Sequence, residues 1–452
     1  MSTQSCYRVL SPTAILGYGF PEESFRRGME RGPDLIGVDA GSTDPGPYYL
    51  GSGKSFTSRA GVKRDLTLIL EGALEARIPC IIGTAGGSGS REHVEWARNI
   101  IGEIARERGL KFHMAVIYAD FSKETVLEAF EAGRIGPLSP GPDITRADIE
   151  RSTRIVGQMG VEPVRAALNE EPDVILCGRA YDPVSFAAPA IGAGFDEGLA
   201  LHMGKILECA AIAATPGSGS DCVLGTLYKD SFVLESLNPA RKFTSISTAA
   251  HTLYEKSDPY SLLGPGGTLD LTRAQFEELE GGRVRVTGSR HIPARTYTVK
   301  LEGAGKIGYR TISIAGIRDP ILISQIDEVL ETVEVQTAEN LGMEGRLLFH
   351  VYGRDGVMGS REPERERRSH ELGVVIEAVA ATQAEADSLC SSVRSTLLHF
   401  GYPGRVATAG NLALLYSPSD IACGEVYEFT VYHLLEVDDP VAPFPIEYHE
   451  VA

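Results

Sequence analysis

Over the first half of the chain, short apolar runs alternate with stretches of helical period, the pattern of a parallel sheet covered by helices. An opening run closes at Gly17-Tyr-Gly-Phe20. It gives way to Pro21-Glu-Glu-Ser-Phe-Arg-Arg27, with proline at a helix start and acids in the first turn. Asp34-Leu-Ile-Gly-Val-Asp39, Ile78-Pro-Cys-Ile-Ile-Gly83, His113-Met-Ala-Val-Ile-Tyr-Ala-Asp120 and Asp173-Val-Ile-Leu-Cys-Gly178 read as further strands. The intervening segments predict helices over 59–77, up to 108, over 123–132 and around 149–169, and a helix over 200–214 closes this part. In the helix ending at Arg108, Val94, Ala97, Ile100, Ile101 and Ile104 keep the spacing of one buried face.

From Cys222 the texture changes. Thr244–Ser257 has helical period, whereas Gly282–Ile317 is rich in Val, Thr, Tyr and Arg with turn residues and predicts antiparallel strands. Ile321–Leu341 returns to helix. The last part predicts a small α+β unit: strands at Leu347–Tyr352, Leu372–Ala380 and Tyr427–Val437, with a helix at Gln383–Phe400. The expectation is therefore an α/β region over 1–341, helix-flanked and mainly parallel with a β-rich part at about 265–317, followed by an α+β domain over 342–452. Arg361-Glu-Pro-Glu-Arg-Glu-Arg-Arg368 reads as a solvated loop.

Composition narrows the function classes. A chain of 452 residues exceeds what one hydrophobic core supports, so more than one domain is expected. A formal net charge of −18 disfavours nucleic acid and anionic membrane as partners. No apolar stretch reaches the length of a membrane helix, and the N-terminus shows no export signal. Seven scattered cysteines, none in a Cys-x-x-Cys pair, suit reduced thiols in a cytoplasm. The same charge sets a condition: an anionic substrate would need local Arg, Lys or backbone N–H groups to overcome the global field.

In open parallel sheets, ligands bind outside the carboxyl ends of the strands. The segments after the five predicted strands are polar: Gly17-Tyr18-Gly19, Asp39-Ala-Gly-Ser-Thr-Asp44, Gly83-Thr84-Ala-Gly86-Gly87-Ser88-Gly-Ser90, Asp120, and Cys177-Gly-Arg179-Ala-Tyr-Asp182. If the strands are parallel, all five open on one edge. The loop Gly83–Ser90 could turn backbone N–H groups toward an anion at a helix N-terminus, or could simply be a tight turn with a serine cap. Glu92 in the first helical turn counts against an anion, and its position is where a dinucleotide fingerprint would need a third glycine. Gly51-Ser-Gly-Lys54-Ser55 fails the P-loop pattern, because Tyr48 stands where glycine is required. Asp39 and Asp44 could hold a hard cation or exchange protons, or could cap and turn the chain. Arg179 pairs either with Asp182 or with a substrate carboxylate.

His251, Glu255 and Asp258 fall at i, i+4 and i+7, on a stripe opposite Ile246 and Leu253. They are an acid/base or metal cluster facing a cleft, or a solvated helix face. No His-Glu-x-x-His or Gly-x-Ser-x-Gly occurs, which leaves zinc peptidase and α/β-hydrolase readings without support.

Four long segments together resemble the acyclic terpene utilisation (AtuA-like) family. They are Val38-Asp-Ala-Gly-Ser-Thr-Asp-Pro-Gly-Pro-Tyr-Tyr-Leu50, Gly83-Thr-Ala-Gly-Gly-Ser-Gly89, Cys177-Gly-Arg-Ala-Tyr-Asp182 and Ala250-His-Thr-Leu-Tyr-Glu-Lys-Ser-Asp-Pro-Tyr260. The likeness runs from about Arg8 to about Leu341. It implies a C-terminal module of ferredoxin-like type and a place in the catabolism of branched acyclic terpenoids and other carboxylic or CoA-linked compounds. It also favours a functional role for the stretch carrying His251, Glu255 and Asp258.

The combined expectation is a lyase or hydratase acting on a small carboxylate or acyl thioester. Thr84, Gly86, Gly87, Ser88, Arg179 and Asp182 would bind the anionic end. Asp39, His251, Glu255 and Asp258 would carry the proton chemistry, with room for a divalent cation. A hydrolase of an ester, lactone or amide is a second enzymatic reading. A non-catalytic binding or scaffold subunit is a third, and self-association through the C-terminal domain is a further expectation.

Overall fold

The computed structural model describes residues 5–138, 141–254, 257–341 and 344–452. Two compact units share the chain: Met1–Gly305 with Phe429–Ala452, and Lys306–Glu428.

The first unit is built in chain order from β1 (Tyr7–Ser11), β2 (Leu35–Asp39), α1 (Arg59–Ala76), β3 (Cys80–Gly83), α2 (Arg91–Arg108), β4 (Phe112–Ile117), β5 (Arg154–Gln158), β6 (Val174–Cys177), α3 (Val184–Gly192), α4 (Glu197–Leu207), α5 (Ser245–Leu253) and the first part of β7 (Thr298–Ile317). Its main sheet carries β1, β2, β3, β6 and β4 side by side, all parallel. Antiparallel strands extend both margins, Val223–Leu227 beside β1 and Ile446–Val451 beside β4. The sheet is therefore mixed, and its parallel centre is the expected one.

Alternation along the strands sends side chains to two dry layers. Val38, Ile82 and Leu176 pack with Leu66, Ile69 and Ile101 of α1 and α2. Ile81, Ile117 and Ile175 pack with Phe186 of α3 and Met203 of α4 on the other side. Both faces being covered, the strands read as nearly continuous apolar runs, which is why the sequence exposed them so clearly.

Two expectations need correction. The stretch 149–169 is not one helix: a short helix Arg146–Glu150, closed by a Thr145–Asp148 capping box, is followed by β5 and then by a helix Val161–Ala167. Gly157 marks the strand, since a Cβ there would sit 2.3 Å from the ring of Phe121. Gly17-Tyr18-Gly19 does not end β1, which stops at Ser11. Those glycines instead donate backbone N–H bonds to Asp65 of α1, at 2.8 and 3.0 Å.

β5 pairs antiparallel with the first part of β7, placing Gln158 opposite Lys300 and Val156 opposite Glu302. In the second unit, the later part of β7 pairs with Leu372–Ala380, which also pairs with Arg346–Tyr352. Helices Ile326–Leu341 and Gln383–His399 share this unit, and Ile326, Val333, Ile376 and Val393 lie in its core. Leu341, where the sequence pattern suggested a boundary, lies inside the second unit, because its helix belongs to that core. No helix among the described residues is long and apolar enough to cross a membrane.

Candidate functional site

The loop after β6 carries Arg179, Tyr181 and Asp182, and β5, β7 and α4 bring up Gln158, Lys300, Glu302 and Lys205. Lys300 and Glu302 share one face of β7 because they are two residues apart on a strand. Arg179 is 2% exposed and lies against Glu302, which is fully buried: Arg179 Nε donates to one carboxylate oxygen at 2.6 Å and Nη2 to the other at 3.3 Å. Lys300 Nζ meets the same carboxylate at 2.7 Å, and the Thr43 hydroxyl donates to it at 3.0 Å. Burial alone would raise the Glu302 pKa, but the Arg179 and Lys300 charges outweigh it and hold the carboxyl down to about 2.

A second ionic group adjoins the first. Lys205 Nζ bridges Asp182 at 2.7 Å and Glu208 at 2.9 Å. Burial would raise Asp182, yet the Lys205 and Arg179 charges overcome it and keep the group below the usual carboxylate range. Glu208 goes the other way: burial pushes it up, the Lys205 charge only partly opposes this, and the Asp182 charge adds to the rise. Asp39, 4% exposed at the end of β2, is raised well above its ordinary value by burial, then by the charges of Glu208 and Asp182, with Arg179 opposing. Buried Arg179 and the half-buried Lys205 and Lys300 therefore face two ionised carboxylates, while Asp39 and Glu208 retain their protons more readily. Three cations are thus gathered at one place in a chain of net charge −18.

These groups border a cleft of about 320 Å³. Its lining combines polar side chains, Gln158, Arg179, Asp182, Lys205 and Lys300, with apolar ones, Leu262, Leu263, Pro265, Ala294 and Leu434. Tyr181 and Tyr432 add aromatic rings, and Asp44 stands exposed at the rim. An ammonium carries three donors. Lys300 directs one to Glu302 and another to the Tyr432 hydroxyl at 3.3 Å. Arg179 spends its donors on Glu302 and on the Ala180 carbonyl, at 2.7 Å for the latter, so it organises the cleft wall more than it offers itself to a ligand.

The glycine loop sits differently from its expected role. Residues 81–90 are buried, and their amides are largely taken: Ala85 N donates to Cys177 O, Gly89 N to Ala85 O, and Ser88 N to His93 Nδ1. Arg91 N at the start of α2 donates to Asp120 at 2.9 Å, and Glu92 is held by Arg154 at 2.8 Å. Gly86, Gly87 and Ser88 do not line the cleft. A Cβ at Gly89, whose φ is +67°, would stand 2.2 Å from the Arg179 backbone nitrogen, so this glycine lets the loop after β3 lie against the loop after β6. Thr84 serves the same contact, its hydroxyl accepting from Ala180 N at 3.2 Å.

His251 and Asp258 do not line the cleft. His251 lies on α5 with its ring 4.8 Å from that of Tyr254. Asp258 is exposed and accepts from Tyr260 N at 2.9 Å, the geometry of a turn before a strand. Glu255 lies outside the described residues. Among the described residues, no group of three or more His, Cys, Asp or Glu side chains is arranged to hold a metal ion.

A family model described as "Acyclic terpene utilisation family protein AtuA" matches residues 59–221 and 240–415. The chain belongs to that family. In this AtuA family member, the matched segments include Gln158, Arg179, Asp182, Lys205, Lys300 and Glu302, whereas Asp39 and Tyr432 fall outside them. No curated protein and no solved structure matches the chain.

Sequence reasoning had placed Asp39, Arg179 and Asp182 near one edge, and they do gather there. It missed Lys205, Glu208, Gln158, Lys300 and Glu302. Lys300 and Glu302 alternate with buried Val299 and Leu301 in a run that could have been signalled by its period of two. A strand covered on both faces, however, does not announce which side holds the polar set.

Proposed function

We propose that this AtuA family member is an enzyme that takes a small carboxylate, or the acyl group of a thioester, into the cleft and adds or removes water. The observation that carries the reading is the cleft's mixed lining: Arg179, Lys205 and Lys300 together with Leu262, Leu263 and Leu434. An anionic head with a branched apolar chain matches both. The volume lies near the lower end for small-molecule pockets, roughly 300–1,000 Å³, which suits an acyl group with any large carrier left outside. Lys300 meets the anionic end. Asp182, ionised and on the cleft wall, takes the proton from the carbon beside the carboxyl group. Glu208 resupplies a proton through Lys205 to the departing hydroxyl, which leaves as water. Two carboxylates with proton affinities driven apart are the pattern of an acid and a base at one centre.

The test is to incubate the protein with the N-acetylcysteamine thioester of 3-hydroxybutyrate and follow the near-ultraviolet absorbance of the conjugated enoyl thioester. The wild type should produce it and Asp182→Asn should not. Butyrate should also bind, as measured by calorimetry, and Lys300→Met should weaken that binding about tenfold, the loss of one charge-assisted bond. If butyrate binds Lys300→Met and wild type equally, the cleft is not the anion site.

A further inference from the structure

Two neutral polar groups in the cleft are left without work by everything described above. Gln158 and Tyr181 are each 7% exposed and both line the cleft. Among the described residues, neither the Gln158 carboxamide nor the Tyr181 hydroxyl has a protein hydrogen-bond partner, and neither is among the polar atoms sealed from solvent, whereas Arg179 and Lys205 beside them are closely paired. Their polar atoms open onto the cleft, so a bound molecule that expels water from it must supply their hydrogen bonds. Their placement is fixed by backbone pairing. Met159 and Ala180 form a parallel bridge, Tyr181 N donates to Met159 O at 2.9 Å, and Gln158 stands opposite Lys300. The two residues thus belong to adjoining segments, and Gln158 shares a strand face with the ammonium assigned to the anion.

We infer that Gln158 and Tyr181 form a second station in the cleft that receives an uncharged oxygen, a hydroxyl or carbonyl, on a substrate whose carboxyl group is held by Lys300. This rests on the carboxylate reading of the cleft and deepens it: the oxygen on the substrate's carbon chain is seated by this pair, so a plain fatty acid is the weaker ligand. The chemistry of the pair fits that oxygen. A carboxamide offers N–H donors and a carbonyl acceptor, so it can serve either oxygen type. The phenol is kept protonated by burial and by the neighbouring Asp182 charge, and so presents a donor throughout the neutral range. A site built to hydrogen-bond a substrate oxygen rejects the analogue lacking it, because its own buried groups are then left unpaired.

The experiment compares 3-hydroxybutyrate with butyrate by calorimetry on the full chain. The wild type should bind the hydroxy acid about tenfold more tightly, the worth of one well-formed hydrogen bond to a buried group. Tyr181→Phe and Gln158→Leu should each erode that preference while leaving butyrate affinity in place; a melting curve on each variant separates this from loss of fold. Equal wild-type affinity for the two acids, or a preference that survives both substitutions, overturns this assignment and leaves the anion site standing. If neither acid binds the wild type, the carboxylate reading itself fails and this one falls with it.

Discussion

Glu302→Gln should cost several kcal/mol while hardly altering shape. The substitution keeps the side chain's volume but removes the one charge that Arg179 and Lys300 share, at 2.6 and 2.7 Å. Glu302 is fully buried, so no water can take its place without rearrangement. Stripping one partner from a buried ion pair typically costs about 3–5 kcal/mol. Depression of the Glu302 pKa from 4.5 to about 2 gives a second route to the magnitude. At 1.36 kcal/mol for each pKa unit, it corresponds to roughly 3 kcal/mol of native-state preference for the ionised form. At about 2 °C per kcal/mol for a domain of this size, the melting temperature at neutral pH should fall by roughly 6–10 °C.

The pH dependence has a definite sign. A carboxylate with a depressed native pKa stabilises fully above its unfolded value and loses that contribution as pH falls through the native one. The gap between wild type and Glu302→Gln should therefore be widest near neutrality and close between the ordinary Glu range and about 2. Thermal melts followed by circular dichroism over that range check both statements. A variant that melts like the wild type at pH 7, or a gap that stays constant into acid, refutes the account of this pair.

Three further outcomes follow from the same geometry. Asp39→Asn should be nearly neutral at low pH and gain on the wild type as pH rises, because a raised carboxyl loses its contribution as it ionises; melts across the pH range read this, and an alkaline disadvantage for the variant would count against it. Gly89→Ala should lose more than about 3 kcal/mol, since both its backbone conformation and its contact with the Arg179 backbone exclude a methyl group; unchanged melting would sink the packing argument. His251→Ala should leave butyrate affinity within about twofold, as expected for a residue away from the cleft wall; a large loss would restore the role its helical stripe suggested.

The parallel centre was legible because β2, β3, β4 and β6 are covered on both faces and bounded by glycines and helix starts. So was the gathering of Asp39, Arg179 and Asp182, since the carboxyl ends of parallel strands must share an edge. The remainder of the site came from elements whose patterns conceal it. β5 reads as part of a helix in the sequence because Ile149, Val156 and Val164 fall on one helical face. Lys205 stands in an apolar helix, where a lone lysine reads as a surface group. Lys300 and Gln158 face each other only through the pairing of strands about 140 residues apart, a long-range register that no local window contains. The glycine loop misled for a related reason: the same residues that could cradle an anion also permit two loops to touch.

The interruption of the first unit by residues 306–428 has a consequence for biosynthesis. Phe444 belongs to the buried layer beneath the parallel sheet, Ile446–Val451 caps its β4 margin, and Leu434 and Tyr432 complete the cleft. While a ribosome is still translating the insertion, the earlier-made segment therefore has a bare sheet margin and an incomplete pocket. A nascent chain stalled or cut before residue 429 would present β4 as an open template for other strands. Quality control in the cell would meet that intermediate with every copy made, and competence to bind any metabolite would arrive only with residues 429–452.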